Sequence, residues 1–257
     1  MVAPVDRRLG KQRVKQLVRR TVGEPYVGKR LKLRELNHVL RDLPLDPRRV
    51  LDAGSEDATF VYWLADRFPK AHVTAVDIDD AAIGACLAAR SACYEQRVSF
   101  EVTHFADLAD EAFDLITAFD VLEHIEDDVA AVADLHRALA REGTLLVHVP
   151  RDVWTHVDGR REVVPDEEAH RINPGHVRMG YSPEHLSSLL SDAGFDVVDT
   201  QIWLRRWSVC AFALYGRVEP LVPLRLVTIP FTDAAVVLDR RRPSDEGNSV
   251  FVRAIKR

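Results

Sequence analysis

Sulfur and glycine are scarce in this sequence, and long apolar runs are missing. Its 257 residues hold three cysteines, Cys86, Cys93 and Cys210, with no CxxC pair among them. That spacing excludes a disulfide framework and a cysteine-built metal centre, and it suits a reducing cytoplasm. Cys86 and Cys93 fall in one alanine-rich stretch, at a spacing that puts both on one face of an expected helix as small core residues. No run approaches the roughly 18 to 20 apolar residues that cross a bilayer. The basic N-terminal residues lack the apolar core and small-residue cleavage site of a secretory signal. The expectation is a cytoplasmic globular protein of one domain, or one domain and a smaller segment.

Acidic residues are nearly absent from one end. Asp6 to Arg34 carries eleven Lys/Arg against two acids, a local +9 that leaves −14 on the remainder and −5 overall. A basic arm on an acidic body is open to three readings: a contact with nucleic acid or an anionic membrane, a solvated helix, or a segment docked on the body's own acids. Residues 1–45 are read on this ground as a basic helical segment, and residues 46–257 as the main domain.

What is present is a rhythm. Short β-rich runs at Val50-Leu51, His72–Val76, Val98–Val102, Phe113–Ala118 and Gly143–Val149 alternate with helical stretches at Thr59–Phe68, Asp80–Cys93 and Asp128–Ala140. Strands separated by helices of this length mean βαβ units, hence an α/β fold with a doubly wound, mostly parallel sheet and helices on both faces. After Pro150 the rhythm breaks. Residues 151–180 are charged and rich in His and Pro, and read as a long loop. Ser182-Pro183-Glu184 starts a helix that stops at Gly194. Phe195–Trp203 and Asn248–Ile255 read as strands, and the apolar, proline-bearing stretch 205–245 as a helical insert.

At the end of the first run stands LDAGSEDATF, residues 51–60. A nucleotide-binding loop there would carry glycines at alternate positions. Only Gly54 is one; Glu56 and Ala58 occupy the others. In open α/β sheets ligands bind beyond the C-terminal strand ends, so Asp52, Gly54 and Ser55 on this loop, and Asp77 at the end of the second strand, are candidate site residues.

The segments VLDAGSEDATF, VTAVDID, FADL and FDLITAFDVLEHI, followed by GTLLVHVP, together resemble class I S-adenosylmethionine-dependent methyltransferases. The likeness is nearest to the small-molecule group that includes the ubiquinone-type enzymes, and covers residues 48–203 with a last strand at 248–257. It implies a Rossmann-like seven-stranded sheet and S-adenosylmethionine as cofactor. Asp52, Gly54 and Ser55 would lie at its amino-acid end. Asp77 would accept from the ribose hydroxyls, and Ile78 would pack on the adenine. Asp107 would accept from the adenine amino group, Leu108 would supply a backbone N–H, and Phe119 would line the site.

Methyl transfer from a sulfonium asks the protein to align the acceptor and manage its proton. Asp120, Glu123 and His124, just after the fourth strand, and His148, His156, His170, His176 and Tyr181 are the candidates. Some relatives carry Glu-x-x-Glu-His at 120–124 and a later His, holding a divalent cation; here His176 matches that later His. Asp120 is shorter than the Glu of those relatives, which counts against the metal. Glu123 and His124 also read as local loop-ordering residues. Trp203, Trp207, Phe212 and Tyr215 are open to two roles, an apolar acceptor wall or packing of a lid on the core.

The resemblance implies a methyltransferase acting on a small molecule, most plausibly at a hydroxyl of a natural product, sugar, quinone or lipid-like precursor, with loop 151–180 and insert 205–245 over the substrate site. No Asn/Asp-Pro-Pro-aromatic motif follows the fourth strand, which with the acidic body argues against a nucleic-acid base as acceptor. Peripheral membrane contact through residues 1–34 or 205–240 is a further expectation. Two alternatives stay open: a non-methylating cofactor-binding protein on the same fold (a cyclase, isomerase or binding module), and an RNA or protein methyltransferase using the basic arm.

Overall fold

A computed structural model describes residues 24–90, 92–218, 226–242 and 244–257. Seven residues of the basic arm, Arg7 to Arg20, and two insert prolines, Pro220 and Pro223, lie outside the described residues.

One seven-stranded sheet organises the chain, in the order β3-β2-β1-β4-β5-β9-β8. Its strands are β1 (Arg49–Ala53), β2 (His72–Asp77), β3 (Val98–Val102), β4 (Phe113–Phe119), β5 (Leu139–Pro150), β8 (Phe195–Trp203) and β9 (Ser249–Lys256). All pairs are parallel except those of β9, which runs antiparallel to both neighbours. This is the doubly wound architecture the alternation implies. Successive residues of the central strands bury opposite faces. Leu51, Ile116 and Leu145 enter one apolar layer, Val50, Leu115 and Leu146 the other. Helices α2 (Thr59–Arg67) and α3 (Asp80–Ala89) cover the second layer; α4 (Asp128–Ala138) and α6 (Pro183–Asp192) cover the first.

Helix starts follow from local chemistry. The side chains of Asp79, Asp127 and Ser182 accept from the backbone N–H three residues on, at 2.9–3.1 Å, tying up donors that have no intrahelical partner. One expected stop is wrong. Helix α3 ends at Ala89 because Arg90 turns extended, with ψ 128°, and its guanidinium donates to the Val98 carbonyl at 2.9 Å. Cys93 therefore lies beyond the helix and is exposed, while Cys86 is buried. The stretch 151–180 is also more ordered than a plain loop. It contains a hairpin of β6 (Val153–Thr155) and β7 (Arg161–Val163) and a helical turn, α5 (Ala169–Ile172).

The described part of the basic segment is docked, the third of the readings open to it. Helix α1 (Val27–Val39) packs with α7 (Arg206–Val218) and α8 (Ile229–Arg241) through Val27, Leu31, Tyr215 and Val236. Its Leu33 and Leu36 join the second apolar layer. Arg30 and Arg34 both hold Asp233 by paired N–H···O bonds of 2.7–2.9 Å. Arg240 meets buried Glu35 at 3.0 Å. Asp239 caps α7 by accepting from the backbone N–H groups of Trp207 and Ser208, both at 2.9 Å.

One charge is carried into the sheet. Asp52 on β1 is 2% exposed, and its Oδ1 accepts from Thr117 Oγ1 at 2.6 Å. Burial disfavours the carboxylate and pushes its pKa up to about 7, against the opposing hydrogen bond from Thr117. The raised value means that Asp52 holds a proton in the folded protein between about pH 4 and pH 7, where the unfolded chain has lost it. Its contribution to stability therefore falls as pH rises through that window.

Two outcomes follow. Asp233→Ala, which strips the shared carboxylate from a buried and an exposed guanidinium, lowers the unfolding free energy by about 1–3 kcal/mol in urea melts and opens α1 to limited proteolysis. For Asp52→Asn, the melting temperature relative to the parent protein is higher at pH 8 than at pH 5; a difference independent of pH would show that Asp52 is ionised throughout.

Candidate functional site

A cavity of about 720 Å³ opens beyond the C-terminal ends of β1, β2 and β4. Gly54, Ser55, Glu56, Asp57 and Phe60 wall it on one side, Asp77, Ile78 and residues 103–106 on another. Phe119, Asp120, Val121, His124 and the start of α4 close a third, and Lys29 of α1 reaches in.

The loop after β1 keeps a glycine only where nothing else fits. Gly54 has φ +76°, and a Cβ there would stand 2.4 Å from a Val121 methyl. Glu56 and Ala58 adopt the same left-handed region, at φ 41° and 58°, although neither is glycine. Such residues cost about 1–2 kcal/mol each unless surrounding contacts hold them. The contacts at Glu56 are explicit. Its N–H donates to Asp77 Oδ2 at 2.9 Å, and its carboxylate turns outward to Lys29 Nζ at 2.9 Å. Asp57 meets the same ammonium at 2.8 Å. Burial opposes the charge on Lys29, but the Asp57 and Glu56 carboxylates outweigh it and hold its pKa above the ordinary value.

Asp77 accepts from the N–H groups of Glu56 and Asp79, one at each oxygen, at 2.9 and 3.0 Å. A carboxylate has about four acceptor sites, so roughly two remain. Ile78, 70% exposed, presents an apolar face beside it. Ser55 Oγ is buried without a hydrogen-bond partner among the described residues. Phe119 lines the cavity and meets Phe60 edge-on at 4.9 Å. Asp52 sits behind the loop and is not part of the lining. Asp107 and Leu108 are also absent from it. Leu108 packs in the core, and its carbonyl accepts from Arg137; Thr103, His104, Phe105 and Ala106 take the wall instead.

Asp120 follows β4 with φ +56°, a strained conformation that turns its carboxylate into a buried network. Lys32 Nζ donates to Oδ2, and His148 Nδ1 donates to Oδ1 at 2.9 Å. Burial would raise the Asp120 pKa; Lys32 and then His148 outweigh it and hold the group well below its usual range. Burial and the Lys32 charge push His148 down, so its ring is neutral, with Nε2 buried and unpartnered among the described residues.

Glu123, His124 and His176 converge. One ligand-capable atom from each lies within 4.8 Å of the other two. Hydrogen bonds of three residues, Gly175, Val177 and Arg178, stitch the turn 122–125 to the segment 175–178. His124 Nδ1 meets the Gly175 carbonyl at 2.9 Å, Val177 N donates to the Glu123 carbonyl at 2.9 Å, and Arg178 donates to the Leu122 and Ile125 carbonyls at 2.6 Å. A carbonyl can only accept, so His124 carries its proton on Nδ1 when neutral and leaves Nε2 as a lone pair. Glu123 is fully buried, and neither carboxylate oxygen has a partner among the described residues; nor does His176 Nδ1. Burial, then the negative Asp120, push Glu123 well above its ordinary value. The sequence groups four residues here. The structure brings three of them together and turns Asp120 away to Lys32 and His148.

The remaining candidates have local roles. His156 pairs with Glu162, His170 accepts from Gly175 N, and Tyr181 donates to Asp128 at 2.7 Å. Trp203 is buried and stacks on Phe251 at 4.3 Å, and Tyr215 packs against α1. Trp207 and Phe212 are partly exposed, and none of these four aromatic residues lines the cavity. The lining contains no residue of 151–180 or of 205–245. Lys29 and Lys32 are among the site residues that the sequence did not single out. Their one-turn spacing in VGKRLKLREL was the available signal, hidden inside a run of like charge.

A family model described as a methyltransferase domain matches residues 26–200. A Mycolicibacterium smegmatis protein described as a probable S-adenosylmethionine-dependent methyltransferase is 32% identical over 155 residues, 60% of this chain and 54% of that protein. Among solved structures, phosphoethanolamine N-methyltransferase 2 of Haemonchus contortus, in complex with S-adenosyl-L-methionine, gives a TM-score of 0.63 at 16% identity, over 94% of this chain and 59% of that one. The cyclase SpnF gives 0.58 at 22% identity, over 88% and 80%. The aligned parts span 31 to 54% of the lengths of the curated relatives that the chain matches. Because the family model accounts for more than half of the sequence, and the sheet order is the doubly wound one those enzymes share, the chain belongs to the methyltransferase-domain family and has the class I S-adenosylmethionine-dependent fold.

Proposed function

We propose that the protein binds S-adenosylmethionine in the strand-end cavity and moves its methyl group to a hydroxyl of a small molecule, such as a natural product, sugar, quinone or lipid-like precursor. The observation that carries the acceptor half is His124. It lines the cavity with its Nδ1 proton fixed by Gly175, so Nε2 is free to take a proton.

The residues present fit the cofactor. Gly54 brings backbone close without a Cβ, and Ser55 Oγ is a buried hydroxyl with no partner among the described residues. The two remaining acceptor sites of Asp77 suit a vicinal diol, and Ile78 offers a face for a flat base. The cavity volume lies in the usual range for such ligands. When bound, the cofactor supplies an electrophilic sulfonium methyl. The chain's own part is to orient the acceptor, exclude water and manage its proton. Glu56 does not oppose this reading, since its side chain leaves the cavity for Lys29.

In the alternative to a free His124 base, Glu123, His124 through Nε2, and His176 would hold a divalent cation. Two imidazoles and a carboxylate suit zinc, iron or manganese better than magnesium. Such an ion would lower the pKa of an acceptor hydroxyl. Without an ion, Glu123 is a buried carboxyl with no hydrogen-bond partner among the described residues, an arrangement that costs stability when protonated and more when ionised.

The cyclase SpnF, on the same fold, keeps the non-methylating alternative in view. The RNA or protein reading is weakened because Lys29, Arg30, Lys32 and Arg34 are occupied by the protein's own carboxylates.

Calorimetric titration with S-adenosylmethionine and S-adenosylhomocysteine is the first test, with micromolar affinity expected; no binding would overturn the reading. Release of S-adenosylhomocysteine with an acceptor pool separates methyl transfer from the cyclase alternative. Asp77→Ala weakens cofactor binding at least about tenfold, the loss of one or more charge-assisted hydrogen bonds. His124→Ala lowers turnover about a hundredfold or more with cofactor affinity nearly unchanged. Elemental analysis after dialysis against zinc or manganese gives close to one ion per chain, lost in His176→Ala; equal metal content in both proteins would remove the cation from the proposal.

A further inference from the structure

Helices α7 and α8 expose apolar side chains that nothing among the described residues covers. Along α8 and the turn before it, Val227, Phe231 and Leu238 are 58, 57 and 37% exposed. With Ala234, also exposed, they recur at helical spacing as one stripe that continues into Arg241. The opposite side of α8 is spent on packing, through Thr232, Val236 and Asp239. On α7, Trp207 and Leu214 are 42 and 37% exposed and lie a helical repeat apart, with Arg217 next in line. The inward face of that helix is Ser208, Ala211 and Tyr215.

The exposed charged side chains on the outer faces of these helices are arginines, while Asp245 and Glu246 follow in the turn beyond α8. Arg206, Arg217, Arg241 and Arg242 are exposed and make no ion pair among the described residues. The two acids of these helices are already engaged, Asp233 by Arg30 and Arg34, Asp239 as the cap of α7. The connecting sequence EPLVPLR adds one charge of each sign. Residues 1–23, which lead into helix α1 beside this pair, carry seven Lys/Arg and one Asp.

We infer that the α7–α8 face seats the protein on an anionic lipid surface. Aromatic and aliphatic side chains flanked by arginine are what an interfacial helix presents: the apolar face enters the headgroup–acyl boundary, and the guanidiniums meet lipid phosphates. A second copy of the chain is a poorer occupant, because a two-fold contact through this face would set the arginine fringes against each other. Helix α1 packs on the buried side of this pair, through Val27, Leu31, Tyr215 and Val236, which leaves the outer face open. The inference does not depend on the acceptor or on methyl transfer, since vesicle binding is read without turnover.

The test is flotation of the full chain with vesicles of phosphatidylcholine alone and vesicles containing about 30% phosphatidylglycerol. Binding to the anionic vesicles is at least about tenfold stronger and falls as salt rises. Phe231→Ser with Leu238→Ser weakens binding to the anionic vesicles about tenfold or more. Arg241→Gln with Arg242→Gln, two exposed side chains whose loss leaves the fold intact, weakens the anionic preference and its salt dependence; this pair keeps the test decisive if the apolar pair unfolds. Absence of binding to either vesicle overturns the inference. So does unchanged binding in both variants, which would assign the lipid contact to residues 1–23. A dimer in sedimentation velocity that Phe231→Ser dissociates would assign the face to a second copy.

Discussion

The docking of helix α1 on the protein's own carboxylates is the constraint from which the cavity takes its form. Within two turns the helix sends Lys29 to Glu56 and Asp57, Arg30 and Arg34 to Asp233, and Lys32 to Asp120. These acids belong to the loop after β1, to α8 and to the end of β4. A single helix thus ties together three parts of the chain that are far apart in sequence. Exposed ion pairs contribute little, but Lys29, Arg30 and Lys32 are largely buried; Lys29 and Arg30 each make two charge-assisted bonds to carboxylates and Lys32 makes one. Removing one member of such a set leaves an uncompensated charge, which is why the arrangement is sensitive to single changes.

The same docking accounts for the unusual loop. Left-handed backbone at Glu56 and Ala58 is strained, and glycine would relieve it. The Asp77 carboxylate fixes the Glu56 N–H, and Lys29 fixes its side chain, so the left-handed turn is held by contacts in place of glycine. Only Gly54 has no such freedom, because Val121 occupies the space of its Cβ. The loop thus keeps left-handed backbone at two positions that are not glycine.

A second group of contacts brings Glu123, His124 and His176 together. The turn 122–124 is short and would not hold a geometry alone. Arg178, Val177 and Gly175 pin it from a segment more than fifty residues later, and this pinning brings His176 to Glu123 and His124. The hairpin and helical turn within 151–180 anchor that later segment, with Met179 packed on Val164 and Ala169 and its N–H donating to Asp166, so residues that line no part of the cavity hold His176 beside His124. Asp120 is removed from the group by Lys32, which makes α1 a determinant of the donor set as well as of the wall.

Much of the fold was legible in the sequence, because it depends on near neighbours. Alternating apolar residues specify strands buried on both faces, and Asp79, Asp127 and Ser182 announce helix starts through bonds three residues long. Gly54, Asp77, Ile78 and Phe119 were locatable because they sit at strand ends, where the topology itself opens a crevice. Asp107 and Leu108 fall outside the cavity lining, at the end of the turn after β3 whose earlier residues 103–106 form the wall. Cys93 left the core because one arginine, Arg90, found a carbonyl on β3. The engagement of Lys29 and Lys32 and the meeting of Glu123 with His176 were decided by tertiary structure alone. A run of basic residues looks the same whether it faces water or carboxylates. Which it faces depends on contacts such as Arg30 to Asp233, across 203 residues, that no local pattern encodes.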